Sequence, residues 1–261
     1  MTTVVAWIAA ALVAAQAATP AFEVASVKPS AARDTAMRII WPRGRFSAAN
    51  VTTRQFIEAA YMLPPFRLEG GPGWVGADRF YVEATVPADA VSTPARGMPE
   101  AIRLMMQRLL ADRFRFVAHW EKKTQTTYSL VVAGTGRPSG QNFHRSSVDC
   151  AALFASRQPG GPLPPVAQCG VQRSTGRLVL GGYSTAQLSD TLQSLLQQTV
   201  VDRTGLSGAF DVELTWSPDP ASDAGPSLFT AVQEQLGLKL DASKGPVDVL
   251  VIDRVEKPSA D

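Results

Sequence analysis

The sequence predicts an α+β protein made of two repeated modules, each running strand, helix, strand, helix, strand, strand around a small mixed sheet. Three observations carry that expectation. One order of short motifs is written twice along the 261 residues, for the most part 132 positions apart. In each copy the hydrophobic spacing switches between the helical three-to-four and the strand-like two. And the first helix of each copy is announced by the same capping box, a hydroxyl residue followed three positions later by glutamine.

Element by element, Gly44-Arg45-Phe46 stands opposite Gly176-Arg177-Leu178, opening short strands at 45–48 and 177–180. Thr52 and Gln55 then match Ser184 and Gln187; their side chains satisfy backbone N–H groups that a helix start leaves without partners. Phe56, Ile57, Ala60 and Tyr61 mark the first helix of one copy, and Leu188, Leu192, Leu195 and Leu196 that of the other. Pro64-Pro65 stops the former. Glycine turns containing Gly73 and Gly205 lead into alternating strands, 79–86 and 209–216, in which Phe80-Tyr81-Val82-Glu83 matches Phe210-Asp211-Val212-Glu213. Met98, Ile102, Met106, Leu109 and Leu110 predict the second helix, with Leu228, Phe229, Val232 and Leu236 as its counterpart. Phe114-Arg115-Phe116 and Leu238-Lys239-Leu240 read as alternating strands with the basic residue outward, and 127–133 and 247–252 as closing strands. Residues 22–27 add an N-terminal strand to the first copy. The expected organisation is a signal peptide at 1–17, a first module at 18–134, a connector at 135–173, a second module at 174–256 and a tail at 257–261. Whether the modules are separate domains or one pseudo-symmetric domain is left open by pattern.

The signal peptide is read from a segment without a charged side chain between Met1 and Phe22, an apolar run at 4–15, and the small-x-small sequence Ala15-Gln16-Ala17. It is shorter than the roughly 20 apolar residues a spanning helix needs, and it lacks the basic residue usual at the start of a leader. No later segment approaches spanning length, so no integral membrane span is expected after cleavage. Export gives the cysteines a reading. Cys150 and Cys169 flank Gln158-Pro159-Gly160-Gly161-Pro162-Leu163-Pro164-Pro165, and in an oxidising compartment two cysteines closing such a loop read as a disulfide, the alternative being two free thiols.

Composition narrows function by exclusion. The 25 basic against 23 acidic residues lack the basic excess of a dedicated nucleic-acid binder. Two cysteines and two histidines are too few for a zinc or iron–sulfur cluster, and no cofactor or metal is expected. Gly70-Gly71-Pro72-Gly73-Trp74 lacks the Gly-Lys-Ser/Thr ending of a phosphate loop and is expected to turn the chain into a strand. Trp74, with Arg79 at the start of that strand, is the candidate anchor for a ligand or partner. His119 has no second histidine at helical spacing, and no Gly-x-Ser-x-Gly elbow is present. His144 falls in the connector. Glu83 and Glu213 occupy matching strand positions, where paired carboxylates would suit glycoside hydrolysis and a solvated sheet face is the plainer expectation. Asp202 and Thr204 precede Gly205 in a turn that favours those residue types.

Several of these motifs carry a resemblance. Phe22-Glu23-Val24-Ala25-Ser26-Val27-Lys28-Pro29, Gly70-Gly71-Pro72-Gly73-Trp74, Leu109-Leu110-Ala111-Asp112-Arg113-Phe114, Val201-Asp202-Arg203-Thr204-Gly205-Leu206 and Gly245-Pro246-Val247 resemble the signatures of a soil-associated family of secreted bacterial proteins built on a domain of unknown function. The resemblance implies export and assigns no reaction. In some relatives a similar domain follows a membrane metallopeptidase of the antibiotic-sensor type. Each half also looks like the short N-terminal module of secretins and TonB-dependent receptors, which binds proteins in the periplasm. The resulting expectation is a periplasmic or secreted, non-catalytic binding or interaction protein whose partner is an envelope protein or ligand. The alternatives are an envelope hydrolase with its site between the modules, and a ligand-sensing module acting with a membrane partner.

Overall fold

The computed structural model describes residues 20–30, 36–42, 44–88, 90, 98–134, 136, 138–156, 165–219 and 225–258. The expected signal peptide lies outside them, as do most of the Pro/Gly-rich run and the last three residues of the tail. The fold is α+β. The chain forms two compact units, one of Met1–Leu63, Leu68–His119 and Val251–Asp261, the other of Pro64–Arg67 and Trp120–Leu250.

In the first unit the strands β1 (Ala25–Pro29), β2 (Arg38–Ile40) and β3 (Arg45–Thr52) precede the helix α1 (Thr53–Tyr61). There follow β4 (Leu68–Gly70), the one-turn α2 (Trp74–Ala77), β5 (Arg79–Thr85) and α3 (Glu100–Phe114). Four of the strands form an antiparallel sheet in the order β1-β5-β3-β2. Along β3, Phe46 and Ala48 face inward; the register then shifts at Asn50, whose φ of 55° marks a bulge, and Val51 faces inward after it. That change of parity delivers Thr52 to the helix start. There its hydroxyl accepts from the Gln55 amide at 3.1 Å while the Gln55 side chain accepts from the Thr52 amide at 3.0 Å. Phe56, Ile57 and Ala60 of α1 and Ile102, Met105, Met106, Leu109, Leu110 and Phe114 of α3 recur at helical spacing and are buried. Each large side chain of this kind is worth about 1.5–3 kcal/mol relative to exposure. The Gln107 amide donates to the Ala60 carbonyl at 2.9 Å, joining α3 to α1.

The rest of the chain forms β6 (Val117–Val132), β7 (Phe143–Arg145), α4 (Cys150–Ala155), α5 (Val166–Cys169), β8 (Gly170–Ser174) and β9 (Arg177–Tyr183). Then come α6 (Thr185–Leu196), β10 (Thr199–Asp202), β11 (Phe210–Thr215), α7 (Leu228–Leu236) and β12 (Leu238–Arg254). Residues 117–119 of β6 and 251–254 of β12 count with the first unit. The second unit has its own four-stranded sheet, in the order β7-β11-β9-β8. Its core gathers Leu178 and Leu180 of β9, Leu188 and Leu192 of α6, Val212 and Leu214 of β11 and Val232 and Leu236 of α7. Separately, β10 runs parallel to β6, which in turn neighbours β12. Lys122 meets Asp248 and Thr127 meets Ser243, so position rises on one strand as it falls on the other and β6 and β12 are antiparallel.

The units share local detail. Ser184 and Gln187 form the same reciprocal cap at the start of α6 as Thr52 and Gln55 do at α1. Gly44 and Gly176 have φ of 75° and 74°, and Asn50 and Gly182, again 132 positions apart, have φ of 55° and 69°.

Four expectations need correction. Phe114 ends α3, and Arg115 is its left-handed cap with φ 49°, so 114–116 is not an alternating strand; Phe114 continues the helical row from Leu110 and the chain reverses after it. The closing strands expected at 127–133 and 247–252 belong to longer strands, β6 from Val117 and β12 from Leu238, and β12 also takes in the strand expected at 238–240; the reach of β6 is hidden because much of 117–127 is exposed on both sides. Trp74 begins a helical turn instead of leading straight into a strand. Finally, the segment 135–173 is more than a connector: β7 and β8 are the two edges of the second unit's sheet, β7 held by Phe143 stacked on Phe210 at 4.5 Å. Short, largely polar strands such as Gly170–Ser174 have no apolar alternation to reveal them.

Candidate functional site

The glycine-rich loop of the first unit is built against β12. Gly70 and Gly71 have φ of 79° and 81°, and a Cβ on Gly70 would lie 3.1 Å from the Ile252 carbonyl oxygen, so only glycine fits both the conformation and the approach. Arg54, one residue inside α1, clamps the loop from the other side. Its Nη1 donates to the Leu68 carbonyl at 2.9 Å and its Nη2 to that of Gly70 at 3.0 Å. Trp74 follows, half-buried, with Lys257 Nζ 5.7 Å from its ring centroid. Lys257 also pairs with Asp78 at 2.7 Å. The cation–π contact and the ion pair therefore bring the C-terminal segment onto the residue expected to be an anchor. Arg79 is likewise engaged: its Nη1 donates to the Asn50 carbonyl at 2.8 Å and braces the bulge in β3. Trp74 and Arg79 flank the same helical turn but hold different partners.

The corresponding turn of the second unit is organised by a carboxylate. Asp202 Oδ2 accepts from the Thr185 hydroxyl at 2.7 Å, and Oδ1 from the Thr204 amide at 2.9 Å and hydroxyl at 2.8 Å. The Leu206 amide donates in turn to the Thr204 hydroxyl at 3.2 Å. Burial alone would raise the Asp202 carboxyl, but the hydrogen bonds from Thr185 and Thr204 outweigh it and hold its pKa below the ordinary value. Desolvation raises Glu58, against the opposing charge of Arg54, and also raises Asp190.

The polar residues considered for catalysis are distributed. His119 Nδ1 meets Asp253 Oδ1 at 2.8 Å, with the two side chains 54% and 41% exposed. A carboxylate on Nδ1 is the arrangement that orients a catalytic histidine, but the exposure leaves this pair in water. Glu83 accepts from the Ser47 hydroxyl at 2.7 Å on the first unit's sheet, and Glu213 pairs with Arg177 at 2.7 Å on the second's; both carboxylates are exposed. His144 is an exposed residue of β7. Among the described residues no group of three or more His, Cys, Asp or Glu is placed to hold a metal ion.

Cys150 and Cys169 are joined in a disulfide. Both are buried, and a Cβ on Gly182 would fall 2.2 Å from Cys150 Sγ. The bridge thus packs on the bulge of β9 and needs a glycine there.

A family profile described as "Protein of unknown function (DUF3738)" matches residues 54–255. The chain belongs to the DUF3738 family. That match runs from α1 to β12 and so takes in the Arg54 clamp, the glycine loop, the disulfide and the Asp202 turn, while β1, β2 and β3 precede it. No curated protein and no solved structure matches the chain.

Several residues that shape these regions of the DUF3738 chain escape sequence reasoning. Asp253 lies 134 positions from His119 and Lys257 lies in the expected tail; only pairing between distant strands brings them in. Arg54 occupies an ordinary helix-surface position, and nothing in its spacing signals that it clamps a loop. No helix among the described residues is long and apolar enough to cross a membrane.

Proposed function

We propose that this DUF3738 protein is an exported, non-catalytic binding or protein-interaction protein of the bacterial cell envelope, built from two copies of one α+β module. The observation that carries the reading lies on two edge strands. β2 and β8 each form one edge of the β1-β5-β3-β2 and β7-β11-β9-β8 sheets, and each is paired with the strand that leads into a capped helix. Met37, just before β2, and Ile40, on it, are 46% and 43% exposed, and Val171 on β8 is 47% exposed. An edge strand offers unpaired backbone donors and acceptors, and exposed apolar side chains along it favour the addition of an extended segment from a partner.

Other features support the same reading. The groups a hydrolase would use, His119, Glu83 and Glu213, are exposed and engaged in separate pairings. The shared sheet order, caps and positive-φ positions support two copies of a module. The leader-like 1–17 segment and the disulfide support a periplasmic or secreted location. The likeness of each half to the protein-binding module of secretins and TonB-dependent receptors points to a protein partner.

The test is site-specific photo-crosslinking of the full-length protein in its native envelope, with the crosslinker at Ile40, at Val171 and, as a control, at exposed Asp112. Discrete adducts at Ile40 or Val171 that vanish when Met37 or Gln172 is changed to proline support the reading. Equal labelling at all three positions, or none, overturns it.

A further inference from the structure

We propose that the N-terminus of α1, with the buried hydroxyl of Thr53 at its centre, is a binding site for a carboxylate supplied from outside the chain. Thr53 and Thr185 occupy the same place, immediately after the capping residue and 132 positions apart. Both are nearly fully buried, at 1% and 2% exposure. In the second unit the hydroxyl reaches across to the segment after the helix and is satisfied there, by the Asp202 carboxylate and the Leu206 carbonyl. In the first unit the Thr53 hydroxyl has no hydrogen-bond partner. A buried hydroxyl left this way is a desolvation penalty that a bound acceptor removes.

The sequence explains the difference. Where the second unit has Asp202-Arg203-Thr204-Gly205, the first has Gly70-Gly71-Pro72-Gly73, so the carboxylate and the second hydroxyl are both missing. Arg54, at the position of Ala186, stands in for part of their work by clamping the loop carbonyls, and it adds a positive charge beside the helix N-terminus. The loop next to this end, tied to it by Arg54, is exposed at Gly71, Pro72 and Gly73, and space is open beside Gly73. The ligand chemistry follows from the second unit: one carboxylate oxygen on the threonine hydroxyl, near a cation and the positive end of a helix.

The experiment is an NMR titration of the full-length mature protein, following backbone amides with acetate as the probe. The expected result is saturable shifts at Thr53, Arg54 and the 70–73 loop, without matching shifts at Thr185 and Ala186. Thr53→Val should weaken acetate binding at least tenfold, Thr53→Ser should retain it, and Arg54→Gln should weaken it while leaving the hydroxyl in place. A second arm uses N-acetyl-Asp-Arg-Thr-Gly-amide. Binding tighter than acetate assigns the carboxylate to a polypeptide; binding no tighter assigns it to a small acid. Non-saturable shifts, saturable binding unchanged in Thr53→Val, or equal shifts at Thr53 and Thr185 overturn the proposal.

Discussion

Thr185 donates its hydroxyl to Asp202 at 2.7 Å, and the other oxygen of the same carboxylate takes both the amide and the hydroxyl of Thr204. One side chain thereby ties the start of α6 to the end of β10 and the turn that follows. This cluster gives the second unit a dependence on pH. The folded-state pKa of Asp202 lies below its unfolded value, so its contribution is fully present above the unfolded value, near 3.8, and is lost as pH falls through the folded value. Asp202→Asn should cost about 1–2 kcal/mol at pH 7, a partly exposed charge-assisted network being worth less than a buried one. Urea titration at pH 7 and pH 3 checks it: the gap between native and variant should narrow in acid, while the opposite drift from Asp190, whose raised pKa favours its neutral form, is common to both proteins and cancels in the gap. An equal gap at both pH values would refute the assignment.

The two capping boxes should weigh alike. Thr52→Ala and Ser184→Ala each remove one hydroxyl that accepts from the third helical residue, at 3.1 and 3.2 Å. Each should lower stability by about 1 kcal/mol. Chemical denaturation followed by far-UV circular dichroism measures both, and a loss confined to one unit would count against their equivalence.

The disulfide pins α4 and α5 against β9. Replacing both cysteines by serine should cost about 2–4 kcal/mol. Gly182→Ala should lower stability in the oxidised protein, because its Cβ would collide with Cys150 Sγ, and should do less harm when the cysteines are serine. Melting temperatures of the four proteins test this coupling; additive effects would show that glycine is needed there only for its φ of 69°.

How much of this was legible in the sequence depends on how local the signal was. Thr52-x-x-Gln55 and Ser184-x-x-Gln187 are readable because a cap is settled within four residues. The cysteine pair was readable from its spacing and the leader-like N-terminus. β8 was not: Gly170-Val171-Gln172-Arg173-Ser174 is a strand because β9 lies beside it, paired residue by residue from Gly170 to Gly181 through Ser174 to Arg177. The glycine loop was visible as a turn, but its Arg54 clamp, the Lys257 contact on Trp74 and the His119–Asp253 pair all depend on distant parts of the chain meeting. The orphan Thr53 hydroxyl leaves no mark in its own helix, because the acceptor it lacks is supplied in the second unit by Asp202, 17 positions beyond Thr185.

The proposed export makes a chemical prediction. The protein recovered from the periplasm or medium should begin near Ala18, after the Ala15-Gln16-Ala17 sequence. Mass spectrometry of the intact protein decides it, and a chain in that fraction still beginning at Met1 would rule out cleavage.

The most direct measurement of the central claim, that this chain works by binding a protein partner along its edge strands, is hydrogen–deuterium exchange of the purified protein alone and with solubilised envelope proteins of its own cell. The expected result is slowed exchange in Arg38–Ile40 or Gly170–Ser174, where amides facing away from β3 and β9 gain partners, with little change around His119 and Asp253. Unchanged exchange in both edge strands, with protection gathering instead around His119 and Asp253, would contradict it.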